Sequence, residues 1–147
     1  MDKQELMRLL AELIEESKVG LLATVDADGR PHIRWMVPAL LRGRAGSLYT
    51  VSAPDAPKIA HLVDHPDVEW IIQTRAIHRV INLRGRMYAV DNPSLRNEVL
   101  ETMGRRLTAF WKQSADTSSF VVLETMLTEA AYYQPMKGVR FVVPLAE

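Results

Sequence analysis

The sequence predicts a mostly β chain with a few helices, folded as a closed or nearly closed antiparallel barrel. Two observations carry this. At least six short runs have the composition and the period of strands, and most of the links between them have hairpin length. Only a few segments carry helical period, which favours an antiparallel barrel over a doubly wound parallel sheet.

The first segment places Leu6, Leu9, Leu10, Leu13 and Ile14 at helical spacing, with Lys3, Arg8, Glu12, Glu15 and Glu16 opposite, and predicts an amphipathic helix. Val19 to Val25 is a compact apolar run, and Asp26-Ala27-Asp28-Gly29 is turn chemistry that leads into a second strand. Along that strand Ile33, Trp35, Val37, Ala39 and Leu41 alternate with His32, Arg34, Met36, Pro38 and Leu40. The pattern puts Trp35 on an apolar, packed face, while Pro38 marks an edge or a bulge. Ser47 to Val51 is a third strand. Pro57 fits the first position of a helix that ends before Pro66.

Val68 to Thr74 reads as a fourth strand and Arg79 to Val90 as a longer fifth, with Ile81, Leu83, Met87 and Ala89 on one face. Asn92-Pro93 opens a helix through Leu95, Val99, Met103 and Leu107 towards Phe110, with Gly104 as a break. Phe120 to Tyr133 completes the sheet. The late apolar run Phe141-Val142-Val143 either pairs or drapes; its period does not decide.

A length of 147 residues fits one domain spanning 1–147, with enough chain to bury a core without metal or disulfide staples. Eighteen basic residues balance eighteen acidic ones, so no global field draws the chain to nucleic acid or to an anionic membrane. There is no cysteine, hence no thiolate nucleophile or cysteine metal site. The polar, acidic start and the charges that interrupt the following apolar residues form neither a signal core nor a membrane span, and the expected location is cytoplasmic.

The most informative stretch runs from Tyr49-Thr50-Val51-Ser52 through the proline-rich turn to Lys58. A cation in the first turn of a helix is mildly disfavoured unless an anion sits there too. Ser52, Lys58 and Arg34 from the neighbouring strand have the donors a phosphate needs. The plainer alternative is that Asp55 caps the helix and Lys58 points into water. Trp35, Met36 and Tyr49 stand near this position and suit a flat ring system, or ordinary core packing. His61 and His65 have the spacing of a helical metal pair, but no further ligand stands at motif spacing, so no metal site is expected. No side chain is identified as catalytic. Arg75, Arg79, Arg84 and Arg86 make the fifth-strand region basic, yet they lack aromatic interleaving and fit a solvated face or a subunit contact. Trp111, beside Phe110, fits an aromatic anchor for a partner subunit or a cap over a ligand.

In this order of segments the chain resembles the pyridoxamine 5'-phosphate oxidase-like FMN-binding split barrels, particularly the short general-stress-protein-like branch. The likeness rests on Gly20-Leu21-Leu22-Ala23-Thr24-Val25 through Gly29-Arg30-Pro31-His32, on Arg34-Trp35-Met36, and on Leu48-Tyr49-Thr50-Val51-Ser52. It continues through Lys58-Ile59-Ala60-His61-Leu62, His65-Pro66-Asp67-Val68, Leu83-Arg84-Gly85-Arg86 and Ala130-Ala131-Tyr132-Tyr133. The resemblance implies an antiparallel six-stranded split β-barrel and a homodimer with FMN at the subunit interface. It implies Arg34 and Lys58 as phosphate ligands assisted by Ser52, with Trp35, Met36 and Val37 along the flavin ring and Tyr49, Thr50 and Val51 on the neighbouring strand. Gln73 and Trp111 would reach across the dimer. Pyridoxamine 5'-phosphate oxidases proper carry a longer C-terminal region with an arginine- and histidine-bearing substrate motif that this sequence lacks, so vitamin B6 oxidation is not the expected activity. The expectation is an FMN-dependent oxidoreductase acting on a small-molecule substrate or electron donor. The rival is a non-catalytic carrier or sensor of flavin, deazaflavin or haem.

Overall fold

In the computed structural model, which describes residues 1–107 and 120–146, the chain runs α1 (Lys3–Ser17), β1 (Gly20–Val25), β2 (Pro31–Met36), β3 (Ser47–Ser52), α2 (Pro57–Asp64), β4 (Asp67–Gln73), β5 (Val80–Val90), α3 (Pro93–Met103), β6 (Val121–Gln134) and β7 (Val139–Pro144). Short 3-10 turns cover Gly104–Leu107 and Pro135–Lys137. Among the described residues no helix is long and apolar enough to cross a membrane.

Local chemistry sets the boundaries. Asp2 caps α1, its carboxylate accepting from the Glu5 N–H at 2.8 Å. The β1–β2 hairpin turns on Asp26, whose side chain accepts from the N–H groups of Asp28 and Arg30 at 2.9 Å each. Gly29 there sits at φ +81°, where an L side chain would be strained. Asn92 caps α3 through the Leu95 N–H at 3.1 Å, and Gly104 ends that helix, where the sequence places a break.

All strand pairs are antiparallel, in the order β2-β1-β4-β5-β6-β3, with β7 paired to the second half of β6. The sheet therefore has seven strands rather than six: the late Val142 and Val143 pair with Ala131 and Ala130. Their partners are available because β3 covers only the first half of that edge of β6, Val121 to Met126. The two ends of the main path do not pair strand on strand. Contact between them is an isolated bridge from Ala39, just past β2, to Tyr49 in β3, with N–H···O distances of 2.8 Å in both directions. The barrel is split along this line. β2 itself stops at Met36 instead of reaching Leu41, since Pro38 lacks the N–H a continued ladder needs.

Two apolar clusters flank the sheet. The larger one fills the concave side with Leu6, Leu10, Leu13, Leu22, Trp70, Ile72, Leu83, Met87 and Leu123. The smaller gathers Tyr49, Val51, Leu95, Val99, Met103 and Phe120 under α3. β3 lies between them, sending Leu48 to the first and Tyr49 and Val51 to the second, so all six of its residues are buried. At the irregular register between Arg84 and Gly85, the β5 backbone passes so close to the Met126 carbonyl of β6 that a Cβ on Gly85 would collide with it.

Trp35 is not on a packed face. It is 78% exposed and its neighbour Ile33 69% exposed, and both point outward from β2. The reason is the topology: β2 is an edge strand, and its inward positions go to Arg34 and Met36 instead. Through the register, Trp35 continues into Leu21 and Ile71, making an apolar row on the convex face.

Candidate phosphate-binding site

The split brings Arg34 from β2, Ser52 from the end of β3 and Lys58 from the first turn of α2 into one neighbourhood. Lys58 Nζ donates to Ser52 Oγ at 2.9 Å, and the Ser52 hydroxyl lies 3.1 Å from the Ala53 carbonyl, to which it donates. Ser52 is buried and Lys58 half-buried. Arg34 Nη1 donates to the Leu22 carbonyl at 3.2 Å, which fixes one arm of the guanidinium against β1.

No helix cap competes for this place. The residue preceding α2 is Ala56, no side chain caps the helix, and Pro57 occupies its first position. The alternative in which Asp55 caps α2 and Lys58 points into water is thus overturned on both counts. The backbone places the capping position one residue beyond Asp55, and the ammonium turns back to the Ser52 hydroxyl.

Charge makes the cluster unusual. Among the described residues neither Arg34 nor Lys58 takes part in an ion pair. Burial pushes the Lys58 ammonium below the ordinary lysine value, and the Arg34 guanidinium adds to that shift. Burial likewise lowers Arg34. Two like charges held together and partly desolvated, with a hydroxyl donor and an uncapped helix start beside them, have the donors and charge that a polyvalent anion such as a phosphate monoester needs.

A second layer lies behind the cations. His61, one turn beyond Lys58, has Nδ1 3.1 Å from the hydroxyl of fully buried Thr24. Its ring centroid is 4.7 Å from that of His32. His32 Nε2 in turn lies 2.8 Å from Asp26 Oδ2. That contact, with the backbone N–H groups of Arg30 and Asp28, holds the Asp26 carboxyl down to about 2. His61 is pushed below the ordinary histidine value by burial, then by His32, Arg34 and Lys58. His61 and His65 do not converge as a pair: His65 ends the helix, its N–H donating to the His61 carbonyl at 2.9 Å. Sequence spacing drew attention to His65 and missed His32, whose approach depends on a hairpin register that spacing does not encode.

The remaining predicted site residues divide by face. Met36 packs against the larger core, and Val37 against the smaller. Tyr49 and Val51 are buried side chains of the smaller core, and the Thr50 hydroxyl donates to the Val37 carbonyl at 2.7 Å. Trp35 and Gln73 line an open cleft of about 550 Å³ on the convex face, together with Val19, Leu21, Ile71 and Arg75. Trp111 lies outside the described residues. The fifth-strand arginines are largely neutralised: Arg79 bridges Glu12 and Glu16, Arg84 lies between Glu69 and Glu129, and Arg86 faces Asp67.

Comparison with known proteins agrees with the fold. A pyridoxine/pyridoxamine 5'-phosphate oxidase of Pseudomonas entomophila is 33% identical over 79 residues, covering 54% of this chain but only 36% of that enzyme. The chain thus spans about a third of that curated relative. A Clostridium acetobutylicum protein related to general stress protein 26 superposes with a TM-score of 0.73 at 16% identity, over 96% of both chains. A pyridoxamine 5'-phosphate oxidase-related, FMN-binding protein of Nostoc punctiforme gives 0.66 at 12% identity, over 92% of this chain and 86% of that one. A haem-binding protein of Mycobacterium smegmatis gives 0.70 at 17% identity, over 90% and 55%. These superpositions identify the fold as the FMN-binding split barrel. The pyridoxamine 5'-phosphate oxidase family model matches residues 6–134, from α1 to the end of β6, and the chain belongs to that family.

Proposed function

We propose that this chain binds FMN between two copies of itself and works as a flavin-dependent oxidoreductase on a small molecule. The observation that carries the reading is the pair of cations, Arg34 and Lys58, that have no carboxylate partner among the described residues and lie beside the Ser52 hydroxyl. A dianionic phosphate would relieve their mutual repulsion. FMN, when bound, supplies the redox chemistry; the chain supplies position and electrostatics. Arg34 and Lys58 anchor the phosphate end and Ser52 orients the ammonium. The backbone along the split offers donors and acceptors to the ring edge.

The FMN-binding Nostoc relative supports flavin as the ligand, and the mycobacterial haem-binding relative sets the rival that a test must separate. The purified, unsupplemented protein is expected to show flavin absorption bands and to release FMN, identified by mass, on denaturation. A haem Soret band, or a colourless protein that also fails to take up added FMN, would overturn the assignment. Reduction of the bound flavin by NADH or NADPH, then reoxidation by an added acceptor, separates an oxidoreductase from a carrier.

The dimer is supported by the exposed Ile33 and Trp35 on the outward side of β2, which a monomer would leave in water. Trp35→Asp is expected to shift the chain from dimer to monomer in sedimentation velocity. A wild-type protein that sediments as a monomer at micromolar concentration contradicts this part of the reading.

A further inference from the structure

We propose that His61 is a proton-carrying member of the phosphate site, so that binding of the cofactor's phosphate takes up a proton on its imidazole. This rests on the flavin reading above and goes beyond it, because it assigns the residue that couples affinity to pH.

The geometry comes first. His61 follows Lys58 by one helical turn, so the two share a side of α2. Its Nδ1 meets the buried Thr24 hydroxyl at 3.1 Å. A hydroxyl both donates and accepts, so Thr24 serves either protonation state: it donates to an unprotonated Nδ1 and accepts from a protonated one. Nε2 carries hydrogen in both of those states. The ring is therefore held in place without its charge being fixed.

The charges around it have an uneven sign. From α2 itself comes Lys58; from β2 come Arg34 and His32; from the β1–β2 turn comes the Asp26 carboxylate. α2 also packs on β5, whose nearby charges, Arg84 and Arg86, are exposed and turned to Glu69, Glu129 and Asp67. Asp26 is already engaged by His32 and two backbone N–H groups. Positive charge and burial together keep His61 mostly neutral near pH 7 in the free protein.

A phosphate dianion on Arg34 and Lys58 reverses that balance and favours the imidazolium. Above about pH 6, where the free phosphate is mainly dianionic, binding must then take up protons. The affinity for FMN should fall as pH rises through the bound-state value of His61. Below about pH 6 the trend levels, because the free phosphate itself becomes protonated. Riboflavin, with no phosphate, should show no such uptake.

Isothermal titration of the full chain, freed of bound flavin, tests this at pH 7 in two phosphate-free buffers of different ionisation heat. FMN is expected to bind with a net uptake of roughly a quarter to a half proton, as an imidazole brought to half-protonation would require. Riboflavin should bind with none. His61→Gln should still bind FMN, a few-fold more weakly at pH 6.5 and equally at pH 8, with the uptake lost. FMN binding without proton uptake, equal uptake with riboflavin, or uptake that survives in His61→Gln would each overturn the assignment while leaving the flavin reading intact. No FMN binding at all would defeat both.

Discussion

Lys58→Ala and Arg34→Ala are each expected to weaken FMN binding about tenfold to hundredfold, the equivalent of roughly 1.5–3 kcal/mol for one charge-assisted hydrogen bond. Riboflavin affinity should change little, because the two cations act on the phosphate and not on the ring. The loss should shrink with added salt for Lys58, which is only half-buried, since exposed charge is screened. Lys58→Ala also leaves Ser52 free to reorient, so Lys58→Met, which keeps the stem and removes the charge, is the cleaner variant. Fluorescence titration with both flavins measures the difference. Equal losses for FMN and riboflavin would show that the two residues hold the fold of the site and do not bind phosphate.

Trp70→Ala is expected to cost about 3–5 kcal/mol of stability, as large-to-small changes of buried aromatics do. Trp70 is fully buried at the centre of the larger core, level with Leu22 on one side and Leu83 on the other. Its indole N–H donates to Thr125 Oγ1 at 3.1 Å, so it ties β4 to β6 across the barrel interior. Alanine removes the ring and also takes that partner from a fully buried hydroxyl. Against a total of about 5–15 kcal/mol for an ordinary domain, this is a large fraction. Urea unfolding followed by circular dichroism should show a lower midpoint with little change in slope. Trp70→Phe should lose less, because it keeps much of the volume. A midpoint unchanged in Trp70→Ala would mean that the barrel interior can collapse around the void.

Strand and helix positions were legible wherever period and punctuation agreed. α1, the Asp26 to Gly29 turn, Pro57 at the start of α2 and the Gly104 break all follow from local chemistry that needs no partner. The cluster of Arg34, Ser52 and Lys58 is half legible: a lysine in a first helical turn is a local anomaly, and its resolution by Ser52 is a contact only six residues away. What could not be read depends on how distant strands stack. The alternation along β2 reports that one face is apolar, but not which side of the sheet that face lies on. An edge strand with a charged inner row and an apolar outer row has the same period as its reverse, so the alternation alone points Trp35 inward. The His32–His61 contact and the seventh strand are unreadable for a related reason. Each needs the register of segments that spacing treats as independent.

β3 has one further consequence, which concerns the order in which the chain is made. Its six residues are buried between two clusters, and its strand partner, β6, begins some seventy residues later at Val121. When β3 leaves the ribosome, neither its ladder nor either of its packing surfaces is complete. β1, β2, β4 and β5 can pair with one another in the meantime, because β4 and β5 follow each other directly and β1 already carries β2. The nascent chain would thus hold a partial sheet with an unpaired β5 edge and an apolar strand waiting beside it, until β6 arrives and joins both. Contacts closed over such a long loop slow folding. The β6 strand that pairs with both β5 and β3 is therefore the piece that closes the sheet last.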